Sequence, residues 1–213
     1  MNSIAYKVIA TGSKGNAVLI NKYILIDIGV PFTKIKEHFK DIKIVLLTHE
    51  HSDHFCKSTI KKLAKERPTV RFACGSYLVK KLLECEVSKT NIDVLKAGKI
   101  YDYGSFKISP VVLYHDVPNY GYRLFIGERK VFYATDTFTL EGIVAKNYDL
   151  YFVESNYNEA ETLARIEEKE KNGQYIYEYR AMKNHLSDAK TSEFLLENMN
   201  DKSQYVLLHQ HED

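Results

Sequence analysis

The stretch Ile44-Val45-Leu46-Leu47-Thr48-His49-Glu50-His51-Ser52-Asp53-His54 constrains this chain more than any other. An apolar run of strand character leads into three histidines and an aspartate within six positions, so a strand ends in a cluster of metal-ligand groups. Residues two apart in extended backbone share a face, so His49 and His51 present their imidazoles to the same side. Asp53 and His54 fall where the chain leaves the strand, which lets them turn back towards the same space. Imidazole combined with carboxylate suits zinc or a similar borderline ion. A polar surface loop would also carry histidines, but the density and spacing here read as a metal site.

A chain of 213 residues suits a single domain spanning 1–213 with a sizeable core. Its net charge of +2 is too slight to argue by itself for nucleic acid or a membrane surface. Cys56, Cys74 and Cys85 are odd in number and irregularly spaced, which speaks against a disulfide framework and for a reducing compartment. The stretch Met1 to Lys7 lacks a signal-peptide pattern, and no apolar run approaches membrane-spanning length. The expectation is a cytoplasmic protein with no membrane partner.

Along the chain, Ile4 to Ala10 reads as a strand and Thr11 to Asn16 as a glycine-containing turn. Ala17 to Ile20 and Tyr23 to Ile28 read as a hairpin joined at Asn21-Lys22. Helices are expected at Pro31 to Phe39, Ser58 to Glu66 and Ser76 to Leu83, the last with Ser76 as N-cap. A strand is expected between the last two, at Thr69 to Ala73. Five short strands follow, at 92–95, 99–103, 106–113, 121–126 and 130–134, and a buried one at 150–154. Helices at 159–171 and 187–198 and a closing strand at 205–208 complete an α/β chain with substantial antiparallel pairing.

Three further ligand-type residues stand at the ends of apolar strands: His115 after Leu113-Tyr114, Asp136 after Tyr133-Ala134-Thr135, and His209 after Val206-Leu207-Leu208. A site built on a sheet collects its groups there. Singly, each has a plainer reading, as a loop histidine, a helix N-cap and a tail residue.

The pattern His-x-His-x-Asp-His behind an apolar strand resembles the signature of the metallo-β-lactamase superfamily. That resemblance implies a four-layer αββα sandwich with two mixed, largely antiparallel sheets, and His115, Asp136 and His209 follow in the order of the family's remaining ligands. It further implies two divalent ions, zinc or manganese. His49, His51 and His115 would hold one, Asp53, His54 and His209 the other, and Asp136 would bridge. Metal-activated hydroxide, positioned with the help of Asp53, would be the nucleophile. Glu154, ending Leu150-Tyr151-Phe152-Val153, and His185, in Asn184-His185-Leu186-Ser187, resemble the orienting carboxylate and proton donor of the superfamily's phosphodiesterase branch. An alkoxide is a poor leaving group, so such an acid has a clear purpose.

Within that branch, the motifs Gly12-Ser13-Lys14-Gly15-Asn16, Leu25-Ile26-Asp27-Ile28-Gly29, His115-Asp116-Val117 and Glu154-Ser155-Asn156 resemble the YycJ (WalJ/VicX)-like subfamily. The likeness implies a 5′-to-3′ DNA exonuclease with substrate contacts at Ser13, Asn16 and Ser187, and a nucleic-acid or nucleotide partner; the oligomeric state is open, a homodimer being one option. Two departures stand out: Asn184 replaces a usual glycine, and Gln210-His211 follows His209, so His211 competes for the last ligand position. The basic run Lys57, Lys61, Lys62, Lys65, Arg67 and Arg71 reads as a solvated helix face before it reads as a DNA track. A cyclic-nucleotide phosphodiesterase is the main alternative. A tRNA 3′-processing enzyme stands behind it for want of an RNA-gripping insertion, as does a thioester or lactone hydrolase, against which Glu154 and His185 argue.

Overall fold

Asn21 and Lys22 both take left-handed backbone, with φ of 47° and 65°. Two successive positive φ values make the tight hairpin turn that matches strand twist, so the chain folds back at once. The computed structural model describes residues 4–210 and divides into two compact units. The first comprises the chain up to Ile100 with Val117–Tyr120, the second Tyr101–Asp116 with the chain from Gly121 onward.

The first unit runs β1 (Tyr6–Ala10), β2 (Ala17–Ile20), β3 (Ile24–Ile26), α1 (Phe32–Ile35), β4 (Ile44–Leu46), α2 (Lys57–Glu66), β5 (Arg71–Gly75), α3 (Val79–Glu84) and β6 (Ile92–Leu95). Its sheet keeps chain order, β1-β2-β3-β4-β5-β6. The first three strands pair antiparallel through tight turns. From β3 onward every pair is parallel, because each connection carries a helix across the sheet. Leu19, Leu25, Val45 and Phe72 bury one face together with Ile35, Ile60, Leu63 and Leu82 from the helices. Ile60 and Leu63 are three apart on α2, so one stripe of that helix faces inward while its lysines face water. Full burial of each such side chain stabilises the unit by about 2 kcal/mol.

The second unit contains β7 (Tyr101–Asp102), β8 (Lys107–Leu113), β9 (Asn119–Ile126) from Gly121 onward, β10 (Arg129–Ala134), β11 (Leu150–Glu154), α4 (Glu159–Lys171), α5 (Glu178–Asn184), α6 (Asp188–Asn198) and β12 (Gln204–Leu208). The sheet order is β12-β11-β10-β9-β8-β7. β9 with β10 and β7 with β8 are antiparallel, whereas β10, β11 and β12 run parallel. Phe132 and Phe194 meet at 5.4 Å between ring centroids beneath α6. The Tyr151 hydroxyl donates to the Ala145 carbonyl (2.6 Å) and accepts from the Tyr148 N–H (2.9 Å), which ties down the loop before β11.

The architecture is α/β with two mixed six-stranded sheets, and parallel pairing is more extensive than the largely antiparallel pattern expected. Three parallel pairs in the first sheet and the β11–β12 pair in the second follow from helical crossovers, while β10 and β11 are joined by the helix-free loop 135–149; strand periodicity reveals neither. Other corrections are local. α1 stops at Ile35 and turns follow it. Ser76 opens a 3-10 turn and caps nothing, and α3 begins at Val79. α5 was not expected, since alternating Tyr175, Tyr177 and Tyr179 carry no helical stripe and only Glu178 of that helix is buried. Cys56, Cys74 and Cys85 are free thiols, and no helix among the described residues is long and apolar enough to cross a membrane.

Candidate metal centre

Three strands end in the same unusual way. Asp27 after β3, Asp136 after β10 and His209 after β12 have φ of 58°, 56° and 51°. Left-handed backbone disfavours most side chains but is tolerated by Asp and His, and such strain gathers at functional sites. Each of these residues ends its strand abruptly and turns a ligand-type side chain out of the sheet's alternation.

In the first unit the histidine loop is held from two sides. Asp27 is fully buried; its carboxylate accepts the Thr48 N–H (2.9 Å), the Thr48 hydroxyl (2.8 Å) and His54 Nδ1–H (2.7 Å). Burial pushes the Asp27 carboxyl up, against the pull of His54 and Thr48. From the other side, Asn16 N–H donates to the Asp53 carbonyl at 2.6 Å, and its amide lies 2.8 Å from His54 Nε2. Gly29 passes so close beneath that a Cβ there would stand 1.6 Å from the Asp53 carbonyl oxygen. Within this frame His49 Nε2 and His51 Nδ1 are 3.2 Å apart, and the His49 and His54 rings are 4.2 Å apart. Glu50 points elsewhere, to Lys81 at 2.8 Å.

In the second unit, Asp136, Glu154, His185 and His209 offer ligand-type atoms that all lie within 4.8 Å of one another. Glu154 is fully buried at the end of β11; Oε1 accepts the N–H groups of Thr137 (2.6 Å) and Leu186 (3.3 Å), and Oε2 lies 2.9 Å from His185 Nδ1. Burial raises its carboxyl above the ordinary range, with His185 pulling the other way. Asp136 Oδ1 is 3.5 Å from His209 Nε2 and 3.7 Å from His185 Nδ1, and Thr135 donates to its other oxygen. Asn156 reaches both Nδ1 and the carbonyl of His209 at 2.9 Å. His115 Nδ1 stands 3.2 Å from the Asn184 carbonyl. Burial lowers the His115 pKa, against Asp136 and Asp116, so the imidazole is neutral at neutral pH, the form a ligand needs.

These donors suit a divalent ion. Two ligand atoms about 2.1 Å from a tetrahedral zinc lie about 3.4 Å from each other. The observed separations of 3.2 Å for His49–His51, 3.6 Å for His54–Asp53 and 3.5 Å for His209–Asp136 match that spacing within each unit. The other expected residues divide. Asn16 is buried and braces the metal loop from within. Ser187 is buried too: its hydroxyl donates to Glu159 and accepts from Lys190 N–H as the cap of α6, a structural role in place of the expected substrate contact. Ser13 is exposed, and His211 lies outside the described residues. The sequence gives no role to Asp27, which falls inside the expected strand Tyr23 to Ile28, or to Asn156, which lies two residues past Glu154. The basic run is largely engaged within its own unit: Lys57 pairs with Glu84, Lys61 with Glu86 and Arg71 with Asp93, while Lys62 lies over the Phe32 ring.

The family model described as a beta-lactamase superfamily domain matches residues 25–209, and the chain belongs to that family. It is 27% identical over 176 residues to the exodeoxyribonuclease WalJ of Streptococcus pneumoniae serotype 2 (strain D39 / NCTC 7466). The match takes in 72% of this chain and 62% of that relative, less than two thirds of its length. The metallo-β-lactamase fold protein YhfI from Bacillus subtilis superposes with a TM-score of 0.75 at 17% identity, over 98% of this chain and 87% of its own. Human tRNase Z, short form, does so at 0.69 and 15%, over 97% and 92%. At these identities the structural likeness speaks for the fold, which is the metallo-β-lactamase fold read from the motifs.

Proposed function

We propose that this chain is a dinuclear-metal-dependent phosphodiesterase and, within that class, a nuclease degrading DNA from the 5′ end. The reading assigns His49, His51 and His115 to one ion, Asp53, His54 and His209 to the other, and Asp136 to both. Zinc and manganese each suit this mixture of imidazole and carboxylate. Bound there, the two ions would supply Lewis acidity and acidify a water to near neutral pH. The chain's own residues do the rest: Asp27 and Asn156 hold His54 and His209 in place, and Asp53 orients the attacking water.

The observation that carries the reading is the Glu154–His185 pair. A carboxylate pinned by two backbone N–H groups holds His185 at Nδ1 and fixes the orientation of its ring. Nε2 is thereby left to deliver a proton to a departing alkoxide. Hydrolysis of a thioester expels a far better leaving group and has little use for such an acid. The likeness to the exodeoxyribonuclease supports DNA as substrate.

The test compares leaving groups. Metal-loaded protein is assayed on end-labelled DNA, a tRNA precursor, a cyclic nucleotide and the aryl diester bis(p-nitrophenyl) phosphate. His185→Ala should lose about 100-fold or more on the natural diester yet keep most of its aryl activity, because phenolate leaves unaided. Equal losses on both would remove the acid role. Rapid turnover of the cyclic nucleotide, with a salt-independent Michaelis constant on DNA, would favour the small-substrate alternative.

A further inference from the structure

The second unit exposes three large aromatic side chains within five residues: Tyr175 is 84% exposed, Tyr177 42% and Tyr179 47%. Exposed rings clustered this tightly mark a surface that something covers. On α5, Tyr179 and Arg180 each neighbour Lys183 by helical spacing, and all three are exposed. Two of the three rings are held in place. The Lys169 ammonium sits 4.0 Å from the Tyr177 centroid and also pairs with buried Glu178. The Tyr179 hydroxyl donates to Glu170 at 2.9 Å. Rings fixed in this way lose little freedom when a ligand arrives.

The surface also adjoins the proposed chemistry within the same unit. Arg180 reaches Asp116, next to His115, at 3.0 Å. The Asn184 carbonyl at the end of α5 lies 3.2 Å from His115, and the residue that caps the helix is His185. The one carboxylate on α5, Glu178, is buried, and the helix presents Tyr179, Arg180 and Lys183 to water, with Glu170 of α4 bonded to the Tyr179 hydroxyl. Stacking rings interleaved with cations suit a polynucleotide strand, since every base has a π-face and every linkage a negative charge. A second copy of this chain would also cover the rings, but it offers no regular alternation of π-faces and phosphates for the rings and cations to meet.

We propose that Tyr175–Lys183 is a binding surface for single-stranded nucleic acid, whose bases stack on Tyr175, Tyr177 and Tyr179 and whose phosphates pair with Arg180 and Lys183. The inference rests on the phosphodiesterase reading, and the measurements keep the two apart. Binding is read by fluorescence anisotropy with a labelled oligothymidylate, and turnover as kcat/KM on that strand relative to bis(p-nitrophenyl) phosphate.

Tyr175→Ala and Tyr179→Ala should each weaken binding about tenfold and lower that ratio to match, and Tyr175→Phe should restore both. Lys183→Ala should reduce the slope of log affinity against log salt by about 0.7. Unchanged affinity in the alanine variants overturns the proposal. So does a change of oligomeric state on size exclusion with affinity for the strand intact, which would make the face a self-association surface. A wild-type chain that binds the strand with these dependences but cleaves no diester sinks the phosphodiesterase reading and leaves the surface standing.

Discussion

Each unit contains a fully buried carboxylate gripping one histidine through Nδ1, Asp27 with His54 at 2.7 Å and Glu154 with His185 at 2.9 Å. The two pairs differ in the histidine. The His54 side chain is fully buried, whereas that of His185 keeps 17% of its surface in solvent and stacks on His209 at 4.9 Å. A histidine sealed off from water suits holding an ion; one at a rim can exchange a proton with what binds there. Exposure of the imidazole, more than the hydrogen bond behind it, separates the two proposed roles.

The largest effect expected is on the frames that carry the pairs. A Cβ at Gly29 would stand 1.6 Å from the Asp53 carbonyl oxygen, with backbone on both sides of the clash. At Gly121 the nearest atom is the Tyr133 carbonyl oxygen at 2.6 Å, and the next are the methyl groups of Leu113, which can give. Gly29→Ala should therefore cost about 3 kcal/mol or more of stability and displace the metal loop, while Gly121→Ala should cost about 1–2 kcal/mol. Urea unfolding of both variants measures the difference. Equal costs would mean that the loop is not braced against Gly29.

The carboxylates themselves come next. Asp27→Ala leaves His54 without its anchor and removes the acceptor for the Thr48 N–H, so metal content should fall about 10-fold or more at limiting metal. Glu154→Gln should hold its metal, because an amide oxygen at the Oε1 position can still accept both N–H bonds, while loss of the acceptor facing His185 Nδ1 lowers turnover of the natural diester. Elemental analysis with parallel kinetics separates the two outcomes. Metal loss in both variants would make Glu154 a ligand support and erase the distinction between the pairs.

The same contrast marks how far the residues could be read in advance. His49 to His54 are legible because their spacing is set by a few residues of local backbone on one strand end. His115, Asp136 and His209 follow β8, β10 and β12, whose positions depend on sheet order. Periodicity marks each as a strand-end residue but does not bring them together, and only the family's ligand order did. Asp27 carried even less signal. In Leu25-Ile26-Asp27-Ile28 it interrupts an apolar run, and its role needs the left-handed turn at φ 58°. The parallel crossovers were hidden for the same reason as the ligand set, since register between distant strands leaves no trace in either strand alone. α5 escaped because its surface is exposed and carries no apolar stripe.

The smallest effect compares one arginine–aspartate pair in each sheet. Arg71 on β5 meets Asp93 on β6 through two guanidinium nitrogens. Arg129 on β10 meets Asp149 just before β11, and the same carboxylate also accepts the Lys130 N–H at 2.8 Å. Burial pushes the Asp149 carboxyl up, but the Lys130 N–H and Arg129 more than offset it, leaving it below the usual carboxylate range. A depressed folded value stabilises the protein fully above the unfolded pKa of about 3.9, and that contribution is lost as pH falls through the folded value. Exposed pairs are worth about 0.2–1 kcal/mol, and the backbone bond should put Asp149 at the upper end. Asp149→Asn is thus expected to cost about 1 kcal/mol near neutral pH and to soften the loss of stability below about pH 4, with Asp93→Asn costing about half as much. Urea midpoints measured at neutral pH and again near pH 3.5 provide the check. If Asp93→Asn is the costlier change, the added backbone bond contributes nothing and the two pairs are equivalent surface contacts.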